Sequence, residues 1–397
     1  MKKMNTIEQQ KTKRKKRSTY EVVPENPSPT LEAGFFYILN ANNGNGKTTY
    51  LSNVARYELR RLNLDESSYV NLICLSGTAF DRFDRYATFI KYLSSTGNKN
   101  TFYYYTGYTS NNNTSSLQTP FRILFEVLNN YSNIKNDYDF ESREIFIASK
   151  FNELGFDTKF TVLLQEIESS HGKKPKKDEC IVDFKIKGIK ELINTMRSKK
   201  LEIQDIHFYK QGSKFSIYEL SSGEYTFLRA LFVLSLAIQE KSLVIYDEPE
   251  NSLHPEWQSR LIKYIIEIYK KFGKKATILL ATHSPLITAS ISYKNVKISE
   301  YDANSKFSFN WVNYEYYGWP ANLVLTDQFN LESARSIEFI NEFNEVLRLY
   351  IKNDWVGLEE AINKLDSRKV HLSDRDSLSS TYEAIKKELG KYKDNLK

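Results

Sequence analysis

Apolar residues along this chain come in two spacings. Short unbroken runs at 35–39, 69–75 (YVNLICL), 243–246 and 277–281 read as strands buried on both faces. Longer stretches repeat their apolar positions about every 3.6 residues, at 47–62, 224–239 and 256–271, and read as helices. Strand and helix in alternation predict an α/β fold, a mostly parallel sheet flanked by helices. Between about 80 and 215 the alternation lapses. There a strand is expected at 102–105, helices at 121–130, 143–154, 160–168 and 189–197, and loops at 111–113 and 170–178. That stretch reads as a compact helical lobe inserted into the sheet. Past 290, strand-like segments at 296–300 and 307–312 give way to helices at 333–351 and 378–389. No internal repeat or long heptad array is present, which argues against a coiled-coil arm.

Charge changes this picture at one end only. The formal net charge is +7 over 397 residues. Residues 2–17 carry eight basic side chains against Glu8, so the other residues balance, with 48 basic and 48 acidic. The excess sits in a tail without apolar periodicity, expected to be disordered, either as a solvated end or as a contact to a nucleic-acid backbone. The two cysteines, Cys74 and Cys180, lie far apart and imply neither a disulfide framework nor a zinc site. The basic start lacks an apolar core, so it is no signal peptide. The longest apolar stretch, 227–238, is too short to span a bilayer and contains Arg229. A cytoplasmic protein without membrane contact is expected. Aromatics reach 14%, read as core packing, including Tyr103, Tyr104, Tyr105 and Tyr108.

Four motifs carry chemistry. Ala41-Asn42-Asn43-Gly44-Asn45-Gly46-Lys47-Thr48 follows a strand and opens a helix, the setting of a phosphate-binding loop. Its glycines let backbone N–H groups turn toward phosphate oxygens at a helix N-terminus. Lys47 suits the β- and γ-phosphates of ATP, and the Thr48 hydroxyl suits Mg²⁺. Asn43, Gly44, Asn45, Gly46, Lys47, Thr48 and Thr49 are the candidate phosphate contacts; Ala41 departs from the usual first glycine. The run Leu243-Val244-Ile245-Tyr246-Asp247-Glu248 ends an apolar strand in two carboxylates. Asp247 can hold the magnesium shell, and Glu248 can polarise an attacking water. Leu220-Ser221-Ser222-Gly223-Glu224 precedes a helix, with Gly223 standing 24 positions before Asp247. Taken alone it is a serine N-cap with a glycine turn. Finally, Ala281-Thr282-His283-Ser284-Pro285 follows a strand, and His283 stands 35 residues after Glu248.

In this order and spacing the four motifs resemble the ABC ATPase family, over roughly 35–75 and 220–285. The resemblance implies an ABC-type P-loop head that hydrolyses ATP with Mg²⁺. It implies that Ser221, Ser222, Gly223 and Glu224 are the signature reaching the γ-phosphate bound by a second copy, so the chain would act as a homodimer. It implies Glu248 and His283 as catalytic residues and Thr48 and Asp247 at the metal. An aromatic ahead of the loop often stacks on adenine in this family, and Tyr20 stands in a suitable place, as either that platform or a linker residue.

Transporter ATPases carry a Gln-bearing loop after the first helix; here the first Gln after Lys47 is Gln118, in other surroundings. Glu248-Pro249-Glu250-Asn251-Ser252-Leu253-His254-Pro255 instead resembles the RecF, SMC and OLD-nuclease branch and the stand-alone ATPases of bacterial anti-phage and retron-linked systems. In that comparison Asn251 to His254 would be the D-loop. About 170 residues separate Lys47 from Ser221, room for a lobe and not for an SMC arm. Asp374-Arg375-Asp376 is a superficial DxD, read as a helix N-cap and not as a Toprim nuclease, and no HNH signature appears. The expected organisation is a basic tail at 1–19, an ATPase head at 20–290 with a lobe near 80–215, and an extension at 291–397 suited to docking a partner. The preferred expectation is a defence ATPase governing a separate effector, a nuclease or toxin. The alternative is a RecF-like, ATP-gated DNA-binding repair protein, favoured by the basic tail alone.

Overall fold

The computed structural model describes residues 31–41, 44–64, 66–78, 82–83, 102–106, 137–166, 177–184, 188–301, 309–329, 335–368, 370, 372 and 376–395. The basic tail with its nucleic-acid contact, Tyr20, Asn43, Tyr108, the helix expected at 121–130, the loop at 111–113 and the Asp374-Arg375 pair lie outside them. The chain divides into two units, 1–318 and 319–397.

The first unit begins with β1 (Phe36–Asn40), α1 (Lys47–Asn63), β2 (Asn71–Ser76) and β3 (Phe102–Thr106). A lobe follows: α2 (Asp137–Glu153), β4 (Lys159–Glu166), β5 (Lys177–Asp183), α3 (Ile189–Lys199), β6 (Leu201–Lys210) and β7 (Ser213–Ser216). The chain then returns through α4 (Ser222–Ala237), β8 (Ser242–Asp247), α5 (Pro255–Phe272), β9 (Thr277–Thr282), α6 (Pro285–Ser290), β10 (Val296–Tyr301) and β11 (Phe309–Asn313). The main sheet runs β11-β10-β1-β9-β8-β2-β3 and is parallel except for the β10–β11 pair.

Its central strands are buried on both faces, as their unbroken apolar runs require. Alternate residues serve different cores. Phe36, Ile38, Val244 and Leu280 face a core shared with α4, α5 and the lobe. Tyr37, Leu39, Ile245 and Ala281 face a second core with Tyr50, Leu51 and Val54 of α1. Helix α4 is buried along nearly its whole length, and its fully buried Arg229 donates from Nη2 to the Ser76 carbonyl at 2.6 Å. That bond ties α4 to the carboxyl end of β2.

Two sequence expectations change. Residues 160–166 of the helix expected at 160–168 instead lie in β4, an inner strand of an antiparallel sheet ordered β5-β4-β6-β7. The run contains β-branched Thr161 and Val162, and partners on both sides take up its backbone groups. The lobe is therefore a mixed α/β unit and not a helical one, and Lys177 and Asp178 of the expected loop open β5. The strand-like segments past 290 also join the head: β10 pairs with β1, so the sheet continues beyond that boundary.

The second unit holds α7 (Ala321–Gln328), α8 (Ile337–Ile351), α9 (Trp355–Ser367) and α10 (Ser377–Asn395). Phe343, Val346, Leu358, Ile362, Tyr382 and Ile385 form its core. Asp376 takes Arg335 in two bonds, of 2.9 and 2.5 Å, and accepts the Leu378 N–H at 2.9 Å. Its carboxylate is thus engaged at a helix start. Among the described residues no helix is long and apolar enough to cross a membrane.

Candidate functional site

Three neighbouring strands end together. The register pairs Asn40 of β1 with Thr282 of β9, and Asp247 of β8 with Ala281. The segments leaving these strands therefore emerge at one edge, outside the carboxyl ends, where open α/β sheets build ligand sites. The phosphate-loop motif follows β1, Asp247 and Glu248 close β8, and His283 follows β9.

Gly44 and Gly46 have φ of 87° and 84°, the left-handed region that glycine enters without strain. A Cβ on Gly44 would meet nothing within 4 Å, so the backbone angle and not crowding selects glycine. Gly46 is the N-cap of α1 and offers no side-chain cap. The N–H groups of that first turn are left for an outside acceptor, a fit for phosphate. Lys47 is buried, and its Nζ donates to the Ala41 carbonyl at 2.7 Å and lies 3.5 Å from His283 Nδ1. Burial pushes the Lys47 pKa down, while Glu248, Asp247 and Glu250 pull it the other way. Thr48 Oγ1 donates to Asp247 Oδ2 at 2.9 Å. A hydroxyl beside a carboxylate is a hard-oxygen pair that suits Mg²⁺, which takes few protein ligands and completes its shell with water and phosphate.

Glu248 has φ of 49°, a strained angle for a residue with a side chain. Its N–H donates to the Ala281 carbonyl at 2.8 Å. Oε1 stands 3.5 Å from His283 Nε2, and Oε2 accepts from Asn251 Nδ2 at 2.7 Å. If Lys47 donates to Nδ1, the imidazole carries its proton on Nε2, facing Glu248. The His283 hydrogen bond foremost, with those of Asn251 and the Lys47 charge, outweighs burial and holds the Glu248 carboxyl below its usual range. The carboxyl is thus ionised at neutral pH, as a general base must be. Glu250 accepts the backbone N–H of His283, and burial pushes its own carboxyl up.

The structure thus gathers Lys47, Thr48, Asp247, Glu248 and His283 into one contact network. Of the remaining expected contacts, Thr49 accepts from Arg82 Nη1 at 2.8 Å, and Asn45 is half-buried in the loop. Ser221 to Glu224 sit elsewhere in the bonding pattern. Ser221 is the N-cap of α4, with Ser222 as its first residue, and forms a capping box with Glu224. Glu224 Oε1 pairs with Lys210 of β6 at 3.1 Å. Among the described residues, the side chains of Ser221 and Glu224 bond to each other's groups and to Lys210. A Cβ on Gly223 would come within 2.9 Å of the Ser252 carbonyl, so this glycine abuts the turn after Asn251.

Sequence reasoning missed Gly77, Arg82 and Lys210. Gly77 left one signal, a glycine directly after an apolar strand. A Cβ there would lie 2.0 Å from the Glu248 carbonyl oxygen. Lys210 left none, because only the lobe's sheet brings it to Glu224.

Residues 94–289 match a family described as "AAA domain, putative AbiEii toxin, Type IV TA system". The match takes in the signature, the acidic pair and His283. The chain is 25% identical over 133 residues to the Retron Vc95 probable ATPase of Vibrio cholerae serotype O1 biovar El Tor, covering 31% of this chain and 25% of that protein. It is 28% identical over 129 residues to the Septu protein PtuA of Bacillus thuringiensis, covering 32% of each. The alignments therefore span a quarter to a third of these relatives' lengths. Among solved structures, the SmcHead bound to the C-winged helix domain of ScpA aligns with 70% of this chain and 90% of its own, at 12% identity and a TM-score of 0.36. That likeness is too distant to bear on function.

Proposed function

From the premise that this chain carries an ABC-like P-loop ATPase domain, similar to the ATPases of retron and Septu systems, we propose that it binds and hydrolyses ATP between two copies of itself. The observation that carries this reading is the convergence of Lys47, the Thr48–Asp247 pair, Glu248 and His283 at the ends of β1, β8 and β9. Lys47 and the N–H groups opening α1 bind the phosphates. Thr48 and Asp247 would hold Mg²⁺, which would supply positive charge against the triphosphate. Glu248 takes the proton of the attacking water, and His283 donates to the γ-phosphate.

In this reading one protomer would leave the site incomplete. Among the described residues, the side chains of Ser221 and Glu224 bond to each other and to Lys210. A two-fold dimer would set each signature over the partner's nucleotide, so the γ-phosphate would favour the closed pair and its loss would release it.

Mixing two inactive variants tests this. Ser221→Arg spoils only the signature, and Glu248→Gln spoils only the base. Each alone is expected to be inactive. Mixed before ATP is added, half the dimers pair one of each and contain one intact site, restoring about a quarter of wild-type turnover per chain. No recovery on mixing, together with full wild-type activity in a dilute monomer, would sink the dimer reading.

The finer role we propose is in bacterial anti-phage defence, governing a partner effector. The similarity to the retron and Septu proteins supports it. Purified from its native operon, the chain is expected to bring down a neighbouring nuclease or toxin; a chain that purifies alone, with no such neighbouring gene, counts against the role.

A further inference from the structure

The turn after β8 contains a side chain that the proposed hydrolysis does not use. Glu248 presents two oxygens, and each has its own donor. Oε1 faces His283 Nε2 at 3.5 Å, and Oε2 accepts from Asn251 Nδ2 at 2.7 Å. The Asn251 bond is the shorter and comes from the same turn. Asn251 is itself pinned, since its N–H donates to the Glu248 carbonyl at 3.2 Å and a Cβ on Gly77 would lie 3.3 Å from its own Cβ. Ser252 comes next at φ of 66°, turning the chain sharply behind it. Side chain and backbone of Asn251 therefore grip Glu248 from both ends, across a three-residue separation that only this turn closes.

We propose that Asn251 is a positioning residue for the hydrolytic base, holding Oε2 so that Oε1 stays turned toward His283 and the reacting water. This rests on the reading of Glu248 as the base. A glutamate side chain has three rotatable bonds, and an untethered carboxylate would divide its time among rotamers and toward Lys47. Misplacement of a base by about an ångström costs on the order of a hundredfold in rate. Among the described residues, the charged or titratable groups around Glu248 are His283 after β9, Lys47 of α1, Asp247 of β8 and Glu250 of the same turn. None of them occupies the place of the Asn251 amide at Oε2.

Asn251→Asp is the discriminating variant. It keeps size and shape and replaces the donor by a like charge against Glu248. Repulsion then turns the carboxylate of Glu248 away from its place beside His283. At neutral pH kcat is expected to fall about tenfold, with KM for ATP within about twofold of wild type. Asn251→Ala is expected to lower kcat likewise, with KM again little changed. A residue that merely braces the turn would instead lower thermal stability and alter KM. An unchanged kcat in a folded Asn251→Asp protein overturns the proposal.

Hydrolysis that survives Glu248→Gln would instead remove the base assignment, a separate result.

Discussion

Glu248→Gln is expected to retain ATP binding while lowering hydrolysis by about 10²–10⁴-fold, the range that a positioned general base supplies. The substitution keeps the side-chain length and leaves an amide oxygen to accept from Asn251 Nδ2, which now reaches Glu248 at 2.7 Å. It removes the carboxylate that faces His283 Nε2. Lys47 contacts Ala41 and His283, and Thr48 bonds to Asp247, through atoms that the change does not touch. Affinity for the triphosphate should therefore survive. Since ATP then persists, the closed dimer should accumulate. Phosphate release, binding of a fluorescent ATP analogue, and mass by light scattering with and without ATP check the three parts. Undiminished phosphate release would remove Glu248 from the mechanism.

Gly77→Ala should produce a comparable loss of hydrolysis from a residue that carries no functional group. A Cβ at Gly77 would lie 2.0 Å from the Glu248 carbonyl oxygen and 3.0 Å from its carbonyl carbon. Neither side has room to yield. The Gly77 N–H is bonded to the Asp247 carbonyl at 2.8 Å, and the Ser76 carbonyl is held by buried Arg229 at 2.6 Å. On the other side, the Glu248 N–H is fixed to Ala281 at 2.8 Å. Relief requires the Glu248–Asn251 turn to shift, and with it the base. We expect turnover to fall at least about a hundredfold and stability to drop by about 1–3 kcal/mol from overpacking. Nucleotide affinity should change less, because the phosphate loop follows a different strand. Thermal melting, ATP binding and steady-state turnover separate these effects; wild-type turnover in a folded Gly77→Ala protein would show that the turn tolerates the displacement.

The signals that were legible in the sequence are local ones. A phosphate loop must be a short segment with glycine where φ is positive, between a strand and a helix, so 41–48 reveals it directly. The acidic pair closes an apolar strand, and His283 ends the next one. Parallel pairing then brings those ends together in the β1-β9-β8 order, which the sequence pattern implies without specifying neighbours. The lobe was harder to read. Residues 160–166 can satisfy a helical spacing, and the alternation that marks a strand emerges only where β5 and β6 flank it. Asp376 shows the opposite case: within a DxD it looks chemical, while Arg335, 41 positions away, and Leu378 N–H occupy its carboxylate.

Identity and order of the reactive groups were thus determined by sequence alone, because a loop, a strand end and a helix cap are each written within a few neighbouring residues. Tertiary structure decided which backbone and side-chain groups hold them in place. Gly77 against the Glu248 carbonyl, Lys210 against Glu224 and Glu250 beneath the His283 N–H are contacts between segments 171, 14 and 33 positions apart. Such contacts depend on which strands lie side by side and how closely the backbones approach, and a one-dimensional pattern of apolar and polar residues does not encode that spacing.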